Sequence, residues 1–599
     1  MSKRMRVTFS PWWLALGAAL LVSLPLVAAP VRAADSLRLV YPPDGHRTSA
    51  ERIFFIGTAP PTAAVTLNGQ RLERSPAGHF APSFPLGLGA NQFTLRWGSE
   101  TKTITVTRVS NQPQPPVGAQ FAPDSLQPAR DITRLVGEPL CFRAIAPAGA
   151  TVNVELAGLT LPLTPQPPLV QLPANAAVLT SDNAPTAVAN VTVFAACAEA
   201  EQAAALGPPT FRLRYQGQDV AQTGPGAVTI LAPLEQPVIE VTAEAGVART
   251  GPSTNHSRLT PLPRGTRAGV TGREGDWLRL DYGGWIMAAE TRLLPGAIPP
   301  EATIRSVRSR RTAGATEVIF PLDVPVPVAV AQTARSLTLT LYNTTAQTDT
   351  IGLTPDPWIE RLDWQQSAPG QVSYTFHLRS DQQWGYDLRY EGSSLILTLR
   401  HPPALSGDRL QGARILLDPG HGGAELGARG PTGLPEKAVN LTLSQLLRAE
   451  LERRGATVYM TRETDVELGL RERMVAIARW QPDIALSIHY NALPDSGDAL
   501  NTAGIGMFWY HTQAHDLAVF LHDYLVETLE RPAYGVFWNN LALTRPQITP
   551  SILLELGFMI NPWEFEWIVN PAEQQRLAIA LADGLERWFA QATAAPESP

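Results

Sequence analysis

The chain has 599 residues, more than one hydrophobic core serves, so several domains are expected. Charged residues are 17 % against 44 % hydrophobic, which excludes a disordered chain. The net charge of −6 gives no basic footprint, and nucleic acid is excluded as a partner.

Lys3, Arg4 and Arg6 precede an apolar run from Trp12 to Ala29, and Val31-Arg32-Ala33 follows with short residues where a signal peptidase reads. A secretory signal over 1–33 is expected, cleaved after Ala33. Pro25 and the cleavage-like tail favour removal over an uncleaved anchor, which would be the only route to membrane contact. The mature protein is then exported, to the periplasm or cell envelope.

Residues 36–108 read as a small immunoglobulin-like β-sandwich, with short β-rich runs and a hairpin signal at Asn68-Gly69. Asn111-Gln-Pro-Gln-Pro-Pro is a stiff polar linker. Residues 120–234 read as a second β-sandwich whose middle, Leu161 to Ala187, is rich in Pro and Ala and fits a long loop. The only two cysteines, Cys141 and Cys197, both fall there; a disulfide and two buried thiols are both open readings. Residues 237–296 resemble a bacterial Src-homology-3-like barrel, carried by Asp276-Trp-Leu-Arg-Leu and Gly283-Gly-Trp-Ile. Trp277 and Trp285 read equally as wall-binding aromatics or as core and rim. Residues 300–402 alternate apolar and polar in four runs and resemble the AMIN-type β-sandwich that precedes many cell-wall amidases. His377 and His401 read there as strand or loop residues.

The pattern changes at Arg414. Strands now alternate with helices: Ile415-Leu-Leu, Thr457-Val-Tyr-Met, Ile484 to His489, Ile505 to Tyr510 and Ser551 to Glu555 are apolar runs. Helical periods cover Ala438 to Arg454, Leu470 to Trp480, Ala514 to Leu529 and Pro571 to Ala590. The fold class is therefore multidomain, with N-terminal all-β modules and a C-terminal α/β domain over 411–595 built on a mostly parallel sheet.

In such a sheet, ligands bind beyond the carboxyl ends of the strands. His421 follows one strand through Asp418-Pro419-Gly420, His489 ends another, Glu555 ends a third, and Glu436 opens a helix after the glycine-rich loop. Two imidazoles and a carboxylate are a common catalytic zinc set, and a further carboxylate suits a general base and acid. Each signal alone has a plainer reading. His421 fits a loop, His489 a hydrogen-bonded strand end, and Glu436 a helix start. Glu555 is the least plain, because an unpaired carboxylate in an apolar strand costs several kcal/mol.

Residues 413–594 resemble the zinc-dependent N-acetylmuramoyl-L-alanine amidases of the bacterial cell wall. The likeness lies in Leu417-Asp-Pro-Gly-His421-Gly-Gly, Gly427-Ala, Glu436-Lys437 with Asn440-Leu441, Thr461-Arg462-Glu-Thr-Asp465, Leu470-Arg-Glu-Arg473, Ser487-Ile-His489-Tyr-Asn491-Ala and Leu554-Glu555-Leu-Gly-Phe-Met-Ile-Asn561. It implies one zinc ion on His421, Glu436 and His489, with Glu555 as the catalytic carboxylate. Glu425 is the rival to Glu436 and is kept as a group behind the ligands. Arg462, Arg471 and Arg473 read as substrate contacts or as ion pairs, and Asn491 as orienting His489 or binding substrate. The implied reaction cuts the bond between the lactyl group of N-acetylmuramic acid and L-alanine, in wall remodelling or daughter-cell separation. The implied partner is peptidoglycan, with a wall-associated activator or division protein as a further one. A zinc peptidase acting within the stem peptide and a non-enzymatic wall-binding protein are the rival readings. Some relatives plug the zinc site with a long helical insertion after the second histidine. Here only Ala492 to Gly504 intervene, with Pro494 and two glycines, so an open groove is expected.

Overall fold

Ile415, Leu416 and Leu417 have no exposed surface, because the strand that carries them is covered on both faces. Ile415 and Leu417 point to one helical layer and Leu416 to the other, as the two-residue period of a strand requires. The computed structural model describes residues 36–594, apart from 112–114, 169, 181–182, 189–190, 234–235 and 407–408. The expected signal over 1–33 and the middle of the polar linker at 111–116 lie outside the described residues.

The C-terminal domain runs β1 (Arg414–Pro419), α1 (Glu436–Arg453), β2 (Thr457–Met460), α2 (Leu470–Trp480), β3 (Ile484–Asn491), β4 (Ile505–Trp509), α3 (His515–Leu529), β5 (Ala533–Trp538), β6 (Ser551–Phe558), α4 (Pro562–Ile568) and α5 (Pro571–Ala592). The sheet order is β2-β1-β3-β6-β4-β5. Every pairing is parallel except β6 with β4, so β4 and β5 run against the other four and the sheet is mixed. Val439, Leu443, Leu447 and Leu451 of α1 pack with Leu577, Leu581 and Leu585 of α5 in the main core, while Ile477 of α2 closes the other face on Leu416. The α1 helix begins two residues before its apolar period does, which puts Glu436 in its first turn.

The front of the chain is β throughout. Residues 36–108 close a core of Ile53, Phe55, Val65, Phe80, Phe93 and Leu95. Cys141 and Cys197 are bonded to each other at facing positions of strands Pro139–Ala146 and Thr192–Glu199. The boundary expected at 234–237 does not divide the sheets. Ile132 and Thr133 pair with Glu274 and Arg273, because two edge strands satisfy each other's free backbone groups. Trp277 and Trp285 are buried, which favours the core reading for both. Residues 302–400 form a five-stranded and a four-stranded sheet around Phe320, Leu339, Tyr374 and Leu397. His377 pairs with Asp363, and His401 hydrogen-bonds Thr316 at 2.8 Å.

These regions are not loosely strung ahead of the α/β domain. Trp384 packs at ring-centroid distances of 5.5 Å on Trp588 and 6.0 Å on Phe589. Arg400 donates to the carbonyls of Pro482 and Ile548. Phe54, Ile56 and Ala81 close on Ala499, Phe558 and Ile560. Among the described residues no helix is long and apolar enough to cross a membrane.

Candidate metal centre

The turn after β1 has to carry a side chain at its tip while the next strand's imidazole lies against it. Gly420 makes the second possible: a Cβ there would stand 2.1 Å from His489 Cε1. His421 makes the first possible at a cost. Its φ of 59° is left-handed, a conformation that costs a non-glycine residue about 1–2 kcal/mol. Two buried arginines hold the strained turn. Arg462 donates to the carbonyls of Pro419, Gly420, Lys437 and Thr464. Arg473 donates to the carbonyls of Pro419, His421 and Leu468, and pairs with Asp418 at 2.6 Å. Asp418 also accepts from Thr461 and Ser487.

His421, Glu436 and His489 meet at this edge, with one ligand atom from each lying within 4.8 Å of the others. His421 Nε2 is 3.1 Å from Glu436 Oε2, and His489 Nδ1 is 3.0 Å from Glu436 Oε1. Three further donors fix the Glu436 carboxylate: Ala428 N–H at 2.9 Å, Asn440 Nδ2 at 3.0 Å and Tyr490 N–H at 3.1 Å. Gly427 leaves the space, since a Cβ there would meet Glu436 Oε2 at 2.4 Å and His421 Cδ2 at 2.6 Å.

The donor set fits a divalent cation. Glu425 Oε1 is 3.0 Å from His421 Nδ1, so each ring nitrogen of His421 faces a carboxylate. A neutral imidazole carries one proton and can serve only one of them. If Nδ1–H goes to Glu425, the Nε2 lone pair faces Glu436 and the cluster calls for a cation between them. Without a cation the same crowding attracts protons instead: burial alone would lower the His421 pKa, but Glu436 and then Glu425 raise it, and burial would raise that of Glu436, but the two imidazoles hold it well below the carboxylate range.

Glu555 completes the edge. It lies in register with His489 on the adjacent parallel strand, so the two side chains leave the same face. Its Oε2 is buried and has no hydrogen-bond partner among the described residues. Burial, and then the Glu436 charge, push its pKa well above the usual value. A carboxyl held ready to take and return a proton has these properties.

Residues 415–587 match the family described as N-acetylmuramoyl-L-alanine amidase, Amidase_3. This segment is an Amidase_3 domain. A probable cell wall amidase, LytH of Staphylococcus aureus, is 36 % identical over 186 residues, which is 30 % of this chain and 60 % of the relative. The catalytic domain of CwlV, an N-acetylmuramoyl-L-alanine amidase from Bacillus (Paenibacillus) polymyxa var. colistinus, is 24 % identical with a TM-score of 0.28, over 30 % of this chain and 98 % of that one. The amidase AmiC2 of Nostoc punctiforme is 26 % identical with a TM-score of 0.29, over 31 % and 99 %.

The other candidates divide. Glu425 lies against His421 Nδ1, on the side of the ring away from Glu436. Of the two readings for the arginines, Arg473 takes the ion pair, with Asp418, and Arg462 donates to backbone carbonyls; both are buried and both serve the turn. Arg471 is exposed on α2 and makes no ion pair among the described residues. Asn491 lies at the end of β3, and its Oδ1 accepts from Ala492 N–H. Asn440, which the sequence shows only as part of a motif, holds Glu436. Its place four residues on, one turn along the same helix face, is the signal that could have found it.

Proposed function

We propose that this protein is a zinc-dependent N-acetylmuramoyl-L-alanine amidase of the cell envelope. It hydrolyses the amide between the lactyl group of N-acetylmuramic acid and L-alanine of the peptidoglycan stem peptide, in wall remodelling or daughter-cell separation. The observation that carries the reading is the Glu555 carboxyl, its Oε2 without a partner among the described residues, in register with His489 of a His421, Glu436, His489 cluster inside a segment that matches Amidase_3. The basic start and apolar run of residues 3–29 support export.

Zinc held by His421, Glu436 and His489 would polarise the scissile carbonyl and make water more acidic. Glu425 fixes which His421 nitrogen faces the site, and Asn440, Ala428 and Tyr490 fix both Glu436 oxygens. Glu555 takes the proton of the attacking water. It then delivers that proton to the alanine nitrogen as the C–N bond breaks, leaving a lactyl carboxylate and a free stem peptide. Mass spectrometry of muropeptides digested by the full chain, with and without chelator, tests this. A new free L-alanine amine that disappears with chelator is expected; new termini inside the stem peptide would indicate a peptidase, and unchanged muropeptides a binding protein.

A further inference from the structure

Beside the metal ligands the first β region and the amidase domain enclose a cleft of about 470 Å³. Val40, Phe54 and Ile56 form one wall; Arg429, Leu493 and Ile560 form the other. We propose that this cleft is the subsite for the peptide part of the substrate, an acidic peptide whose carboxylate meets Arg429. The proposal rests on the amidase reading and deepens it.

Position is the first argument. Each segment of the amidase wall leaves directly from the metal centre. Arg429 lies in the loop between His421 and Glu436, Leu493 comes four residues after His489, and Ile560 five after Glu555. Gly427 lines the same cleft and also touches the space of Glu436 and His421, so the cleft abuts the ligands themselves. A chain cut at the metal centre has its flanking residues within reach of this space, whose volume suits a short peptide.

Charge is the second. Arg429 is exposed and has no acidic partner among the described residues. The carboxylate that also lines the cleft, Asp495, is already engaged: Tyr41 donates to it, and His46 Nε2 lies 2.9 Å from it. Arg38 reaches from the first β region to Gly433, in the loop that holds Arg429, and is likewise without an acidic partner. A free guanidinium beside an aliphatic wall suits a peptide that alternates methyl or methylene groups with carboxylates.

Construction is the third. Tyr41 and His46 hold Asp495, Ser83 donates to the carbonyl of Gly497, and Ala77 N–H donates to Glu566. The two walls are therefore fixed to each other. Ala499, in the stretch 492–504, has no exposed surface and packs with Phe54, Ile56 and Ala81 of the first β region.

Calorimetric titration of the full chain carrying Glu555→Gln tests the proposal without turnover. The probes are N-acetylmuramoyl-L-alanyl-D-glutamate and the same compound with both glutamate carboxyls amidated. Adding Arg429→Gln is expected to weaken binding of the acid about ten-fold, the usual worth of a charge-assisted hydrogen bond, and to leave the amide unchanged. Adding Val40→Glu, which places a like charge on the opposite wall without touching the amidase domain, is expected to weaken the acid several-fold. Equal affinities in all three proteins, or no binding of the acid to any, would overturn the subsite. So would a shift from dimer to monomer in both variants with ligand affinity unchanged, since the occupant would then be a second copy of the chain. The two readings fail separately. Binding that depends on Arg429 with no peptide released by the wild type sinks the amidase reading alone, and peptide release with indifferent variants sinks the subsite alone.

Discussion

Two buried polar clusters flank the same turn, and they differ in one respect. Around Asp418, both carboxylate oxygens are engaged, by Arg473 and Thr461 on one and Ser487 on the other. Around Glu436, five nitrogens crowd one carboxylate, while the neighbouring Glu555 keeps an oxygen with no partner. A complete network in a low-dielectric interior fixes structure. An incomplete one destabilises the fold and persists where a function needs the unpaired group. The Asp418 cluster positions the turn; the Glu436 and Glu555 cluster is the one to which the proposed function assigns the chemistry.

The sharpest way to break this comparison is Glu555→Gln. The shape is kept and the proton carrier is lost. Turnover of muropeptide is expected to fall about 10³-fold, within the usual range for a general base. The melting temperature is expected to hold or rise, because a buried carboxyl beside the Glu436 charge has been neutralised. Turnover near the wild-type rate would remove Glu555 from the mechanism.

Arg473→Met makes the opposite test. It leaves Asp418 charged, buried and short of its cation, a change that costs about 3–5 kcal/mol. A clear drop in melting temperature is expected, with zinc content unchanged in whatever fraction remains folded. A variant as stable as the wild type would mean that the complete cluster contributes nothing to the turn.

Glu425→Gln probes the rim of the incomplete cluster. Glu425 is the most exposed member, with 61 % of its side chain in solvent, and acts through the His421 ring. Loss of such an orienting carboxylate weakens metal binding by about 10–100-fold, and this exposure puts the expectation near ten-fold. Competition with a chelating dye reads it without reference to activity. Unchanged affinity would show that the turn alone orients His421.

The same distinction explains what the sequence disclosed. His421, Glu436, His489 and Glu555 each sit at the end of an apolar run or the start of a helix, so sheet topology alone gathers them. The Asp418 and Arg473 pair spans 55 positions on elements whose packing no local pattern states. Asp418 reads only as the residue that stops a strand. Strand β5 was missed because Ala533–Trp538 holds a glycine, follows Pro532 and is buried on neither face. Helix α4 was missed although its start is plain: Asn561 accepts from the backbone of Trp563 and Glu564, and Pro562 is its first residue. The continuity of the β sheets across 234–237 was illegible because it rests on edge-strand pairing, which has no composition signal.

Asp495 offers the smallest and most exacting test, because it is complete like Asp418 but a quarter exposed like the rim. Burial alone would raise its pKa, yet His46 and Tyr41 hold it below the usual carboxylate range. A carboxyl depressed in the folded state binds fewer protons folded than unfolded, so it stabilises the fold above its unfolded pKa of about 4. That contribution fades as pH falls through the lower, folded pKa. Asp495→Asn keeps the size and removes the titration. At pH 7 it is expected to lower stability by about 1 kcal/mol, the worth of one engaged polar contact. Below about pH 4 the wild-type and variant melting temperatures are expected to converge. A constant gap from pH 7 to pH 3 would mean that the seam between the first β region and the amidase domain is held by the apolar contacts of Phe54, Ile56, Phe558 and Ile560 alone, with the polar clasp adding alignment and no stability.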